Sequence, residues 1–88
     1  MISVEKIDQD RFTVTVSEGG GVSKHTVTLT DDYLRKLTGG NVDKETLIGK
    51  SFEFLLEREP KESILSSFDL PVIGRYFPEY EGQIGRML

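Results

Sequence analysis

The stretch RFTVTVSEGGGVSKHTVTL, residues 11–29, constrains the fold more than any other part of the chain. Phe12, Val14 and Val16 alternate with Arg11, Thr13, Thr15 and Ser17, while Val27 and Leu29 alternate with Lys24, Thr26 and Thr28. Successive side chains of a strand point to opposite faces, so each segment has one apolar and one polar face. Gly19-Gly20-Gly21 lies between them and supplies the positive φ angles that a hairpin loop needs. The two segments are therefore predicted to pair antiparallel. Ile2 and Val4 in ISVEKI share one parity and offer a further strand, with Asp8-Gln9-Asp10 as its turn.

Beyond Leu29 the periodicity changes. Thr30 suits a helix N-cap, and Asp31 and Asp32 then sit where the helix dipole favours negative charge. Leu34 and Leu37 lie one turn apart before Gly39-Gly40 ends this short helix. Asp43 can cap a second, main helix that is expected to run through KETLIGKSFEFLLERE to Pro60. On that helix Leu47, Ile48, Ser51, Phe52, Phe54, Leu55 and Leu56 cover an arc of roughly 200°. A single contact buries less. The sheet should therefore cover one side, and either the C-terminal tail or a second copy of the protein the other. Phe54 and Leu56 lie toward opposite margins of the arc and are interface candidates.

The last third is interrupted by Pro60, Pro71 and Pro78. Two short helical pieces are predicted, at 61–67 and 71–77, followed by a loosely ordered end. Ile64, Leu65, Phe68, Leu70, Val72, Ile73, Tyr76 and Phe77 make this tail too apolar to stay disordered, so it is expected to dock. If it does not dock, Tyr76 and Phe77 become the best candidates for contacting another protein. The fold class is α+β within a single domain, 1–88. A two- or three-stranded antiparallel meander (1–30) precedes a short helix and a main helix (31–59), then a short, docked helical tail (60–88).

Little in the chain points to chemistry. Cysteine is absent, which excludes disulfides, thiolate metal sites and thiol nucleophiles. His25 is the only histidine and is expected to be partly exposed at the sheet margin. Gly49-Lys50-Ser51 matches the end of a phosphate-binding loop, but Lys44 stands where that motif requires glycine, and the triplet lies within a helix. Gly49 is read instead as allowing close approach of a neighbouring backbone. The acid pairs Asp8/Asp10, Asp31/Asp32, Glu57/Glu59 and Glu79/Glu81 fit no acid–base or magnesium motif, and G-x-S-x-G is missing. No catalytic, cofactor-binding or metal-binding residue is assigned, and the chain is not expected to be an enzyme. The start MISVEKIDQD has charges within its first six residues and no long apolar run, so neither a signal peptide nor a membrane span is expected there, and the expected location is cytoplasmic.

HTVTLTDDYLRKL followed by GGNVDKETLIGKSFEFLLERE, within residues 24–59, resembles the ribbon-helix-helix DNA-binding families in its order of strand, helix, turn, helix. That resemblance implies a strand paired with a second chain, with Lys24, Thr26 and Thr28 contacting DNA and the helix start near Asp43 and Lys44 approaching phosphate. Phosphate neutralisation needs cations, whereas this chain carries a net charge of -4 and places Asp43 and Glu45 at the phosphate position. The longer stretch ending SFEFLLEREPKESILSSFDLPVIGRYFPEYE is similar, over residues 24–81, to a group of small bacterial proteins of unassigned function. It implies a bacterial origin and no activity. The leading expectation is a non-catalytic protein-interaction module that forms a homodimer on its main helix. The alternative is a ribbon-helix-helix-type regulator or antitoxin.

Overall fold

Two glycines turn the first hairpin. In the computed structural model, which describes residues 1–88, Gly19 and Gly20 have φ of 64° and 79°. Positive values at both central residues define the tight turn whose twist matches that of paired strands. The loop is two residues long. Gly21, expected in the loop, instead opens a strand opposite Glu18. β1 (Ile2–Lys6), β2 (Arg11–Glu18) and β3 (Gly21–Thr28) form an antiparallel meander. The β1–β2 turn is pinned by Asp8, whose carboxylate accepts from the Arg11 backbone N–H at 2.9 Å and from Arg11 Nε at 2.7 Å.

A fourth strand, β4 (Ser67–Asp69), extends the sheet beyond the predicted two or three. It runs parallel to β3 and sets Phe68 opposite Val27. The Thr26 N–H donates to the Ser66 carbonyl at 2.8 Å, and the Leu70 N–H to the Thr28 carbonyl at 2.9 Å. Residues 61–67 are thus not helical as expected. A 3-10 turn at Lys61–Ser63 gives way to extended chain at Ile64. An isolated helix of so few residues is unstable, while the free edge of β3 offers backbone partners and a surface for Phe68.

α1 (Asp31–Thr38) and α2 (Lys44–Leu56) form the crossover that a parallel β3–β4 pair requires. Their caps follow the sequence. Thr30 Oγ1 accepts from the Tyr33 N–H at 3.3 Å, and Asp43 Oδ1 from the Thr46 N–H at 2.7 Å. Gly39 closes α1 in the left-handed region at φ 75°. α2 stops at Leu56, short of the expected residue 59. The Arg58 and Glu59 N–H groups both bond the Leu55 carbonyl at 2.9 Å, which closes the helix before Pro60 forces extended chain. α3 (Val72–Tyr76) falls where a helical piece was predicted, and α4 (Tyr80–Met87) replaces the expected loose end.

α2 lies between two layers. Toward the sheet, Phe52 meets the His25 ring with centroids 5.4 Å apart. On the other side Phe54 meets Tyr80 at 5.2 Å and Phe77 at 6.0 Å, and Ser51 Oγ lies 2.6 Å from the Tyr80 hydroxyl. The second cover of the main helix is therefore the tail of the same chain. Sixteen buried apolar residues, from Phe12 to Ile84, form one core. The opposite face of the sheet carries Thr13, Thr15, Lys24, Thr26 and Thr28 toward solvent. No helix is long and apolar enough to cross a membrane.

Candidate functional site

The docked tail leaves an apolar cleft of about 300 Å³ between the end of α2, the 3-10 turn and α3. Leu55, Ile64 and Ile73 are buried at its base, while Phe68, Val72 and Phe77 are half-buried. Leu65 and Tyr76 stand at its rim, 45% and 67% exposed. Glu59 and Ser63 are its only polar lining residues.

Local sequence explains the shape. The 3-10 turn after Pro60 changes the chain direction, so that Ile64 enters the core and Leu65 does not. His25 then holds the segment. Its ring lies 2.8 Å from the Leu65 carbonyl through Nδ1 and 2.9 Å from the Ser23 hydroxyl through Nε2. A carbonyl can only accept, so Nδ1 carries a proton and donates it to Leu65. At 3% exposure, His25 is a buried anchor rather than the marginal residue expected. The strand-like segment that covers it comes from 40 residues further along the chain. On α3, Val72 and Tyr76 are one turn apart and both line the cleft.

The charges around the cleft divide into used and unused groups. The Arg58 guanidinium stacks 3.6 Å from the Phe54 ring centroid and bonds Glu79 at 3.0 Å. Glu79 is held below the usual carboxylate range by a backbone hydrogen bond and by Arg58. Glu59, in the cleft lining, and Arg75, beside Tyr76, take part in no ion pair.

Of the interface candidates, Tyr76 and Phe77 meet at this cleft. Phe54 does not reach solvent. It is fully buried because Tyr80 and Phe77 of the same chain cover it, so it cannot meet a partner. Leu56 is half-buried in a separate depression beside Met1 and Ile2. The sequence marks Leu65, Phe68 and Val72 only as part of a docking tail, because the alternation of inward and outward residues there follows β4 and α3, neither of which has a strong local pattern.

Lys24, Thr26 and Thr28 share the outer sheet face with Thr15 and Thr13, which lie opposite Lys24 and Thr26. Arg11 is opposite Thr28, but Glu5 and Asp69 flank the same rows, so the face is mixed in charge. At Thr26 and Thr28 the strand has neighbours on both sides, β2 and β4.

The buried polar groups are engaged in the fold. Lys44 Nζ contacts the Gln9 carbonyl at 2.9 Å, Asp10 at 2.9 Å and Asp31 at 2.8 Å. Burial lowers the Lys44 pKa, but the two carboxylates more than offset this and leave it raised. Ser51 donates to the Leu47 carbonyl at 2.7 Å, and burial pushes Tyr80 up to about 12. Gly49 does not mark a close approach, as had been expected, since a Cβ there would meet nothing within 4 Å. No three His, Asp or Glu side chains gather as metal ligands would. No protein-family model, curated protein or solved structure matches this chain.

Proposed function

We propose that this protein is a small, non-catalytic protein-interaction module that works through the apolar cleft of its C-terminal segment. The observation that carries this reading is the grouping of exposed Leu65 and Tyr76 around an apolar hollow. The other large exposed apolar residues, Met1, Ile7, Val22 and Leu88, sit at chain ends or beside turns. Exposed apolar groups that cluster around a concave surface are the usual mark of a contact site. Burial of each large side chain there would contribute about 1.5–3 kcal/mol before ordering costs.

A ribbon-type DNA-binding regulator or antitoxin is the weaker reading. It needs a free strand edge for a second chain, and β3 is flanked at Thr26 and Thr28. It also needs a cationic surface, and the outer sheet face is of mixed sign. The discriminating experiment places a photocrosslinking phenylalanine analogue at position 76, or at position 15 on the outer sheet face, in cells that naturally make the protein. Protein adducts at 76 and not at 15 are expected. Equal labelling at both positions, or none at 76, counts against the cleft as a contact site.

A further inference from the structure

We propose that the cleft's occupant is a second copy of this chain, docked about a two-fold axis so that Tyr76 of each copy enters the cleft of the other. The proposal rests on the reading of the cleft as an interaction surface and names what fills it.

An interface closed by a two-fold axis uses the same patch on both copies, so that patch must complement itself. This one does in shape. Its projecting group, Tyr76, is 67% exposed and stands on the rim of the hollow. Its hydroxyl has no hydrogen-bond partner within the chain, unlike those of Tyr33 and Tyr80. A hollow of about 300 Å³ suits one or two large side chains rather than a whole element.

The patch also complements itself in charge. Glu59 lines the cleft and Arg75 adjoins Tyr76, and neither forms an ion pair within its own chain. Two-fold docking that inserts Tyr76 carries Arg75 toward the other copy's Glu59, and the axis creates the pair twice. An apolar centre with charges at the rim is the normal anatomy of an interface. Each copy carries a net charge of -4, so its long-range field opposes association. Salt screens that field beyond about 8–10 Å while the local pair persists.

Other surfaces fit a second copy less well. The tail covers the main helix. The free edge of β1 is five residues long and ends in Glu5 and Lys6, the kind of charged short edge that discourages pairing. A standard interface buries about 800 Å² per partner, roughly a sixth of the 5058 Å² surface here. Leu65, Val72 and Tyr76, grouped at the cleft, are the apolar start toward that area.

The test is sedimentation equilibrium of the full chain from low to several hundred micromolar. The expected mass rises toward twice 9.9 kDa. Tyr76→Ser should weaken dimerisation about tenfold or more and leave the melting temperature of the dilute monomer unchanged, since the residue is exposed there. Glu59→Arg and Arg75→Glu should each weaken it about two- to fivefold, and the double variant should regain most of the loss. A monomer at every concentration overturns the proposal. So does a dimer whose constant is unchanged by Tyr76→Ser, or a double charge swap no better than the single ones. A monomer that still forms an adduct with a different protein from position 76 overturns the second copy alone. A monomer with no such adduct overturns the interaction reading as well.

Discussion

Phe54 is enclosed by Tyr80 at 5.2 Å, Phe77 at 6.0 Å and the Arg58 guanidinium at 3.6 Å. Removing its ring would leave a cavity bounded by rigid neighbours, and Phe54→Ala is expected to cost about 3–5 kcal/mol. Leu56 is only half-buried, and Leu56→Ala is expected to cost about 1 kcal/mol or less. Urea unfolding of both variants checks the contrast; similar losses would mean that the tail does not cover Phe54. Residue periodicity made the width of the apolar arc legible and could not say what covers each margin. The same limit applies to His25. Its inward parity is local information, but its burial depends on the Leu65 carbonyl, 40 residues away. At the cleft, Tyr76 and Phe77 were legible as an aromatic pair. Glu59 and Arg75 were not, because their lack of partners appears only when every other charge has been placed.

Elements whose signals are local were the readable ones. The hairpin glycines, the Thr30 and Asp43 caps and the Gly39 stop each act within a few residues. β4 has three residues with one apolar side chain, and its stability comes from β3, so no pattern announces it. α4 has Tyr80, Ile84 and Met87 at helical spacing, but Gly82 and Gly85 weaken its propensity. Two glycines give predictions of opposite sign. Gly49 is helical and a Cβ there meets nothing within 4 Å, so Gly49→Ala should stabilise by about 1 kcal/mol. Gly39 has φ 75°, so Gly39→Ala should destabilise by about 1 kcal/mol. Thermal melts of the two variants should move in opposite directions. At the scale of the whole tail, Ile64, Leu70, Ile73, Tyr80 and Ile84 are five of the sixteen core residues. At about 1.5–3 kcal/mol each, their burial rivals the 5–15 kcal/mol stability of a whole domain. A chain ending at Glu62 should fail to melt cooperatively and should aggregate; a cooperative melt near that of the full chain would contradict the docked tail.

Across the molecule, one cationic joint ties the layers together. Lys44 at the start of α2 reaches Gln9 and Asp10 in the β1–β2 turn and Asp31 at the start of α1, so three elements meet on one ammonium group. The sequence suggested Asp31 as a dipole partner and Lys44 as a phosphate-facing residue. Their pairing was hidden because it depends on how the crossover returns over the sheet. Lys44 lowers the pKa of Asp31 below its ordinary 3.8, first through a hydrogen bond and then through its charge. A carboxyl depressed in the folded state binds fewer protons there than in the unfolded chain, so stability rises with pH in that window. The contribution is therefore complete above about pH 4 and disappears as pH falls through the lowered value. Lys44 itself is raised above 10.5, so its contribution holds below that value and disappears as pH climbs through the raised one. Lys44→Met keeps most of the side-chain volume and removes the charge together with the hydrogen bonds that Nζ donates. The stability gap between wild type and this variant should be widest near pH 7. It should narrow as pH falls below about 4, where the Asp31 carboxyl of the unfolded chain takes up protons more readily than that of the folded one. Chemical unfolding midpoints at pH 3, 5 and 7 measure this directly. A gap of constant size across that range would show that Lys44 acts through its hydrogen bond to the Gln9 carbonyl, which does not titrate, and that the ion pairs contribute nothing.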